Sequence, residues 1–165
     1  MAYTIRILEE KDWPAVKRIY EHGMETKNAT FETEAPLYEQ WISQSPSACR
    51  LVFEKDGKIH GWCKISRVST RKVYCGVGEI SVYIDPAQKG KGLGTLLLQE
   101  LIRQSEKEGF WTLQAAIFPE NEASIQLHLK NGFRVVGIRE RIGKRDGVWR
   151  DNVFMERRSK IVGVD

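Results

Sequence analysis

A short glycine-rich segment, Lys89–Gly94, lies between a β-like run and a helix-like run and is well suited to bind an anion. Its sequence is KGKGLG. Glycines allow the backbone to turn tightly and to bring successive N–H groups close to a ligand. The N-terminus of the helix that follows adds about half a positive charge. The segment therefore predicts a site for pyrophosphate, with a simple glycine turn between solvated lysines as the alternative.

The spacing of these glycines does not fit two common nucleotide-binding motifs. Neither the GxGxxG fingerprint of dinucleotide-binding folds nor the GxxxxGK[ST] pattern of P-loop proteins is present. The segment therefore indicates a phosphate site outside the Rossmann and P-loop classes.

The composition indicates one globular domain. With 165 residues, of which 41% are hydrophobic and 29% charged, the chain has the length and residue usage of an ordinary folded domain. We expect this domain to span residues 1–160, followed by a loose tail at 161–165. The net charge of +4 is small, and no helix or strand gathers basic and aromatic residues on one face, so nucleic acid is not an expected partner.

The cysteines, histidines and apolar runs argue against a metal site and a membrane span. The three cysteines are widely spaced and form no CxxC pair, so no metal site is expected. The sequence shows no N-terminal signal pattern and no apolar run approaching ~20 residues. We therefore expect a cytoplasmic protein with reduced thiols and no membrane partner.

Hydrophobic periodicity predicts the elements that position the glycine-rich segment. Their order, β-α-α-β-β-β-α-β-α-β-β, predicts an α+β domain around a mixed sheet. Turn residues predict one hairpin at Asp56-Gly57 and a last hairpin across Gly143–Gly147. The expected strands cover 3–8, 50–54, 58–66, 78–84, 113–118, 133–139 and 148–157, and the expected helices cover 13–23, 37–44, 95–108 and 121–129.

Two motifs in the right order resemble the GNAT-type N-acetyltransferases. The run Val82–Pro86 (VYIDP) and the Gly92-Leu93-Gly94 turn resemble the family's acetyl-CoA-binding motif, Gln/Arg-x-x-Gly-x-Gly/Ala. About 30 residues later, residues 121–133 (NEASIQLHLKNGF) resemble its CoA-contacting helix and the strand after it. Residues 79–83, 111–115 and 147–151 also resemble the phosphinothricin N-acetyltransferase subfamily.

The resemblance implies a fold and an activity. The fold would be a single GNAT-like domain with a mixed, mostly antiparallel, twisted sheet of about seven strands flanked by about four helices. The activity would be direct transfer of an acetyl group from acetyl-CoA, the co-substrate, to the amine of a small amino acid-like molecule such as phosphinothricin or methionine sulfoximine. A homodimer is also implied. The alternatives are acetylation of a protein N-terminus or another small amine, and a non-catalytic CoA-binding module.

The resemblance also implies which residues bind the co-substrate. The strand residues Val82, Tyr83 and Ile84 would offer backbone groups to the pantetheine arm, and Asn121 would contact the CoA further along. Lys89 stands where the motif has Gln or Arg, and its ammonium can neutralise phosphate but cannot form a two-pronged contact. The amides expected at the pyrophosphate belong to Gly90, Lys91, Gly92, Leu93, Gly94 and Thr95.

Three side chains are candidates for proton transfer. Glu79 would act as general base through a water molecule, or is simply a salt-bridged strand carboxylate. His128 stands where many family members carry the Tyr that protonates the leaving thiolate, and it would be either that acid or a structural helix histidine. Tyr83 is a second candidate acid. A backbone N–H near Ile84 would polarise the thioester carbonyl.

The resemblance places four residues at the acceptor. Phe31 and Glu32 lie in an early loop, and Arg71 and Tyr74 precede the Glu79 strand. An arginine beside a tyrosine would hold a carboxylate or phosphinate, because guanidinium groups pair well with oxyanions. A basic, solvated loop is the alternative for Arg71 and Tyr74.

Overall fold

The computed structural model describes residues 2–165, which form one seven-stranded mixed sheet and four α-helices. Met1, the first residue of the expected domain, lies outside this range. The strands follow the order β1-β2-β3-β4-β5-β7-β6. They are β1 (Thr4–Ile7), β2 (Arg50–Lys55), β3 (Lys58–Arg67), β4 (Val77–Ile84), β5 (Thr112–Ile117), β6 (Arg134–Arg145) and β7 (Val148–Arg158), and the helices are α1 (Trp13–Glu25), α2 (Tyr38–Trp41), α3 (Leu93–Lys107) and α4 (Glu122–Lys130).

The expected α+β architecture is confirmed, and the differences lie at element ends. The last hairpin turn, expected across Gly143–Gly147, is only Asp146-Gly147, because Gly143 still pairs with Arg150 in the sheet. Both turn residues have positive φ (51° and 76°), as a two-residue hairpin turn requires. Helix α3 begins two residues earlier than expected, and the helix expected over 37–44 is the single turn α2.

Helices cover both faces of the sheet and bury two separate apolar clusters. Helix α3 packs on one face, where Leu97, Leu98 and Leu101 meet β3 and β4 side chains such as Ile65 and Ile80. Helix α1 and the short α2 pack on the other face around the fully buried Trp62. Strands in the middle of the sheet are therefore fixed from both sides.

The contact between β4 and β5 is the one parallel pairing in the sheet of residues 2–165, and it is short. Three pairs hold it together, from Val77 with Thr112 to Glu79 with Gln114. Beyond Glu79 the two strands no longer pair, while β4 continues to Ile84 and β5 to Ile117. The sheet is therefore split at its centre.

The end of the chain is held to β7 by a side chain. The guanidinium of Arg158 donates to the carbonyl oxygens of Val162 and Gly163, at 2.8 Å and 2.6 Å. Within residues 2–165, no helix is both long enough and apolar enough to cross a membrane.

We expect Gly78→Ala to destabilise the short β4–β5 junction. A Cβ at Gly78 would lie 2.3 Å from Ile65 Cγ2 and 3.0 Å from the Phe110 ring. Such overpacking costs about 1–3 kcal/mol of unfolding free energy, which urea titration measures. The control is Gly137→Ala, where a Cβ meets nothing within 4 Å and where a change within about 0.5 kcal/mol is expected. Equal stability of the two variants would contradict the tight packing at the junction.

Candidate active site

A cavity of about 970 Å³ occupies the gap where β4 and β5 part. Its walls come from the second half of β4, the end of β5, the start of α3, helix α4 and the loop after α1. Ala115 and Ala116 lie on the β5 side of the gap, where their small side chains leave room. Most of the residues singled out from the sequence line this cavity: Phe31, Glu32, Glu79, Val82, Tyr83, Ile84, Lys89, Gly90, Gly92, Leu93, Gly94, Thr95, Asn121 and His128.

One end of the cavity is built to receive an anion. Gly90 and Gly92 adopt left-handed backbone conformations, with φ of 77° and 84°, and Gly92 precedes α3 without any side chain capping the helix. The N–H groups of the first turn of α3 therefore remain available to a ligand. Lys89 lines this end, whereas Lys91 does not and instead donates to Gln88 Oε1 at 3.2 Å.

The open edge of β4 presents backbone groups along the cavity. Asp85 N–H donates to the carbonyl oxygen of His60, and β4 pairs with β3 in regular register. Because backbone groups of successive residues alternate between the two edges of a strand, Tyr83 directs its N–H and C=O to β3. Val82 and Ile84 direct theirs toward the gap. An extended ligand can therefore pair with Val82 and Ile84, whereas Tyr83 contributes only its side chain.

The side chain of Tyr83 forms part of an aromatic wall. Its ring stacks on Trp62 with 4.7 Å between ring centroids, and its hydroxyl donates to the carbonyl oxygen of Ala29 at 3.3 Å. Gly23 in α1 allows this close packing, because a Cβ there would lie 2.6 Å from the ring. Burial raises the pKa of Tyr83 well above its ordinary value. The phenol is therefore held in its neutral form, with its proton engaged by the loop after α1.

A polar stripe lies beside this wall on the α1 face of the sheet. Register pairs Lys64 with Ser81 and Ser66 with Glu79, so the four side chains share one face, and all four line the cavity. Burial raises the pKa of Glu79, and the nearby charge of Arg139 opposes the rise. A carboxylate with a raised pKa is a stronger proton acceptor once it is ionised. Glu79 is therefore suited to take a proton in the middle of the cavity.

His128 is buried and held in one tautomer. Its Nδ1 lies 2.6 Å from the carbonyl oxygen of Ser124, and its ring packs edge-on against Phe133. A carbonyl oxygen can only accept, so Nδ1 carries the hydrogen and the neutral ring leaves Nε2 without one. Burial lowers the pKa of His128. The neutral ring therefore has no free proton to give. The contacts favour a structural role for His128 over a role as the acid that protonates the thiolate.

The loop after α1, residues 26–35, is fastened by two arginines of the last hairpin. Arg145 is only 7% exposed, and its guanidinium donates to the main-chain oxygens of Met24 and Thr30 at 2.7 Å and 2.6 Å. Arg150 donates to the main-chain oxygen of Lys27 and lies 4.0 Å above the Phe118 ring. These contacts hold the loop residues Phe31 and Glu32 against the cavity.

Asn121 ties the second motif to the same loop. Its Oδ1 accepts from the N–H of Ser124 and so caps α4, while its Nδ2 donates to the main-chain oxygen of Asn28 at 3.2 Å. It also lines the cavity. Its expected contact with the co-substrate stays a prediction.

Arg71 and Tyr74 are the expected acceptor residues that the structure does not bring to the cavity. Both are exposed in the segment that links β3 to β4, where the Arg71 guanidinium lies 5.2 Å above the Tyr74 ring. Neither lines the gap between β4 and β5. Their role in acceptor binding stays a prediction.

Several cavity residues escaped the sequence analysis. Lys64, Ser66 and Asn152 line the cavity, and Arg145 fastens its loop. Lys64 carries a signal that could have been used, since it is a cation flanked in the middle of β3 by the apolar residues Trp62, Cys63 and Ile65. The other residues have no comparable local signal.

The combined geometry suits transfer of an acyl group from an extended, phosphate-bearing carrier. The glycine turn and α3 would hold the phosphates, and the open edge of β4 would hold the arm. Glu79 lies where that arm would end. Within residues 2–165, no group of three or more His, Cys, Asp or Glu side chains is placed to hold a metal ion.

Comparison with known proteins gives a consistent result. The model of the acetyltransferase (GNAT) domain family matches residues 5–154. The chain is 33% identical to the phosphinothricin N-acetyltransferase of Alcaligenes faecalis, covering 94% of this chain and 82% of that enzyme. It is 32% identical to the L-methionine sulfoximine/L-methionine sulfone acetyltransferase of Salmonella typhimurium (strain LT2), and the match covers 93% of this chain and 92% of that enzyme.

A solved structure shows the same fold with the co-substrate bound. The GNAT superfamily phosphinothricin acetyltransferase of Sinorhizobium meliloti, in complex with AcCoA, superimposes with a TM-score of 0.89 at 27% sequence identity. The match covers 100% of this chain and 92% of that one.

We expect nitrogen NMR of the histidine rings near neutral pH to show His128 as the Nδ1–H tautomer. The reason is the 2.6 Å contact from Nδ1 to the Ser124 carbonyl oxygen, together with the burial that disfavours the charged ring. The His128→Asn variant assigns the signal by its loss. An Nε2–H tautomer or a protonated ring would contradict the structural role and restore His128 as a proton donor.

Proposed function

The chain belongs to the GNAT acetyltransferase family and is an acetyl-CoA-dependent N-acetyltransferase, and we propose that its acceptor is a small amino acid-like amine of the phosphinothricin or methionine sulfoximine type. The observation that carries the proposal is the position of Glu79. Its carboxyl group lies at the end of the β4–β5 pairing, inside the cavity, with a raised pKa. The relatives that act on these two acceptors, by their names, match over nearly the whole chain.

The residues around the co-substrate would have distinct tasks. The first turn of α3 and Lys89 would bind the pyrophosphate, and the backbone groups of Val82 and Ile84 would pair with the pantetheine arm. The N–H of Val82 would donate to the thioester carbonyl oxygen and stabilise its developing charge, because Ile84, expected from the resemblance, is about 16 Å from Glu79 along β4. The acetyl carbon would then lie beside Glu79, at the acceptor end of the cavity.

The reaction is a direct transfer. The neutral amine attacks the thioester carbonyl carbon, a carbon–nitrogen bond forms, and the carbon–sulfur bond breaks. The amine gives one proton to Glu79 through water, and the sulfur leaves as a thiolate. Because an ordinary thiol has a pKa of about 8.5, that thiolate needs little acid catalysis at neutral pH and takes its proton from solvent. The neutral tautomer of His128 is consistent with such a step.

The alternative acceptor is a protein N-terminus or another small amine. A peptide acceptor would carry no carboxylate next to the reacting amine.

We expect thiol release from acetyl-CoA with phosphinothricin and methionine sulfoximine. The assay follows the free thiol with a thiol reagent, and the panel also contains ordinary amino acids, polyamines and a short peptide. Turnover on the peptide or polyamines alone would favour the other acceptors. No turnover on any compound of the panel, with acetyl-CoA still bound, would contradict the proposed acceptor.

We expect Glu79→Gln to lower kcat/KM about 100-fold or more, because a positioned general base contributes ~10²–10⁴. In the wild type, kcat/KM should rise with pH through an ionisation above the ordinary glutamate pKa, since only the ionised carboxylate accepts a proton. In the variant, kcat/KM should not show this rise with pH. The control is Glu140→Gln, which removes an exposed carboxylate of β6 outside the cavity. An unchanged pH profile in Glu79→Gln would contradict the base assignment.

We also propose that two copies associate through the β6 edge of the sheet. Strand β6 lies at the end of the strand order, and its side chains Val135, Val136 and Ile138 are exposed, the last by 61%. Exposed apolar side chains on an unpaired edge strand favour pairing with a second copy.

We expect sedimentation to show a mass of twice 19.0 kDa, and Ile138→Lys to shift the protein toward the monomer. The lysine would place a charge inside the interface. A wild-type protein that sediments as a monomer at working concentration would remove the proposal.

The proposal also covers the domain bounds and the cellular location. We propose that residues 1–160 form one acetyltransferase domain and that residues 161–165 are a C-terminal tail outside it. A cytoplasmic location is supported by the free thiols of Cys49, Cys63 and Cys75, since thiols stay reduced where glutathione and thioredoxin act.

A further inference from the structure

Lys64 is a cation in the middle of a buried strand, on the face of the sheet that carries Glu79. Its neighbours along β3 are the fully buried Trp62, Cys63 and Ile65. On the adjacent strand β4 its partner is Ser81. The next pair on the same face of the two strands is Ser66 with Glu79. Diagonal neighbours in such a ladder lie about 7–8 Å apart, and their Cβ atoms are somewhat closer. Lys64 and Glu79 therefore border one space within the cavity.

The ammonium of Lys64 has no acidic partner. Its Nζ donates to the main-chain oxygen of Trp41 at 2.5 Å and lies 4.5 Å from the centre of the Trp41 ring. Within residues 2–165, no carboxylate lies within ion-pair distance of it. The charge that acts on it from the neighbouring strand is Arg50, which is also positive. A half-buried cation without a counter-ion is costly unless a ligand supplies the negative charge.

The position of this cation matches the chemistry of the acceptor. In an amino acid-like acceptor the reacting amine and an anionic group are joined by a few bonds. With the amine directed at Glu79, the anionic group would lie on the Lys64 side of the stripe. The residues expected from the sequence to hold that group, Arg71 and Tyr74, do not line this cavity.

We propose that Lys64 binds the anionic group of the acceptor and makes the enzyme selective for amines that carry a carboxylate or phosphinate. This inference rests on the proposed function and deepens it. One N–H of the ammonium is engaged by Trp41, which fixes the side chain, and the other two remain for an oxyanion. Lys64 is thus a specificity residue, distinct from the base that takes the proton.

The proposal predicts a pH dependence of acceptor binding. Burial, with Arg50 as the second cause, lowers the pKa of Lys64 to about 8. The groups that face it are Arg50 from β2, Ser81 and Glu79 from β4, and the Trp41 ring and carbonyl from α2. Because Lys64 loses its proton as the pH rises through about 8, KM for an anionic acceptor should rise there. Lys64→Arg, which stays charged, should remove this rise.

The test compares methionine sulfoximine with its α-amide, which lacks the carboxylate, in three proteins. In the wild type and in Lys64→Arg, kcat/KM should favour the carboxylate form. In Lys64→Met this preference should fall about 10-fold, mainly through KM, as expected for one charged contact. Equal preference in Lys64→Met and the wild type would overturn the proposal. Phosphinothricin and its α-amide form a second pair, which separates binding of the carboxylate from binding of the phosphinate.

A binding measurement separates failure of this inference from failure of the proposed function. Calorimetric titration of the CoA-loaded protein with the same acceptors needs no turnover, and CoA binding shows that each variant is folded. Tighter binding of the carboxylate or phosphinate form, lost in Lys64→Met and in Lys64→Gln, supports the inference even if no acetyl group is transferred. Binding without any preference in the wild type overturns it, whether or not turnover is seen.

Discussion

The three residue pairs that join β4 to β5 are the constraint on which the rest of the site depends. They fasten the two halves of the sheet as far as Glu79 and then release them, so that one strand keeps an unpaired edge. Glycines make the junction compact, since Gly76 and Gly78 lie directly against the rings of Trp111 and Phe110. Past this point the gap is kept open by the small side chains of β5 and by the start of α3 at its rim. A longer pairing would close the cavity between the two strands.

Charge is distributed along this gap in a definite order. The glycine turn and the start of α3 place positive potential at one end. Glu79 lies in the middle, where burial favours its neutral form, and Lys64 lies to one side, where burial disfavours its charged form. Opposite shifts in neighbouring titratable groups are typical of sites that move protons and bind charged substrates. The same sheet therefore offers separate places to the phosphates, the reacting amine and the acceptor's anion.

Local signals in the sequence predicted the fold and the glycine turn at one end of the cavity. Tight turns, the glycine segment and amphipathic runs are properties of neighbouring residues, so Gly92 could be recognised directly, whereas Val82 and Ile84 were singled out through the resemblance to the GNAT family. Contacts between distant segments could not be, because they depend on register and packing. Lys64 reaches the cavity only because β3 pairs with β4 in one register, and Arg145 reaches Thr30 across 115 positions of the chain. For the same reason the sequence could not show that Arg71 and Tyr74 lie outside the cavity. Their position in the sequence does not say which surface they occupy.

The loop over residues 26–35 is fastened almost entirely through its main chain. Arg145, Arg150, Tyr83 and Asn121 all donate to backbone oxygens, which every amino acid possesses. Side chains in this loop can therefore be exchanged during evolution without loss of the contacts that hold it. The loop lines the cavity, while the donors that secure it belong to the scaffold. Such a division lets one framework acquire new acceptors by changing a few residues at the mouth of the cavity, and it leaves the machinery for the thioester unaltered.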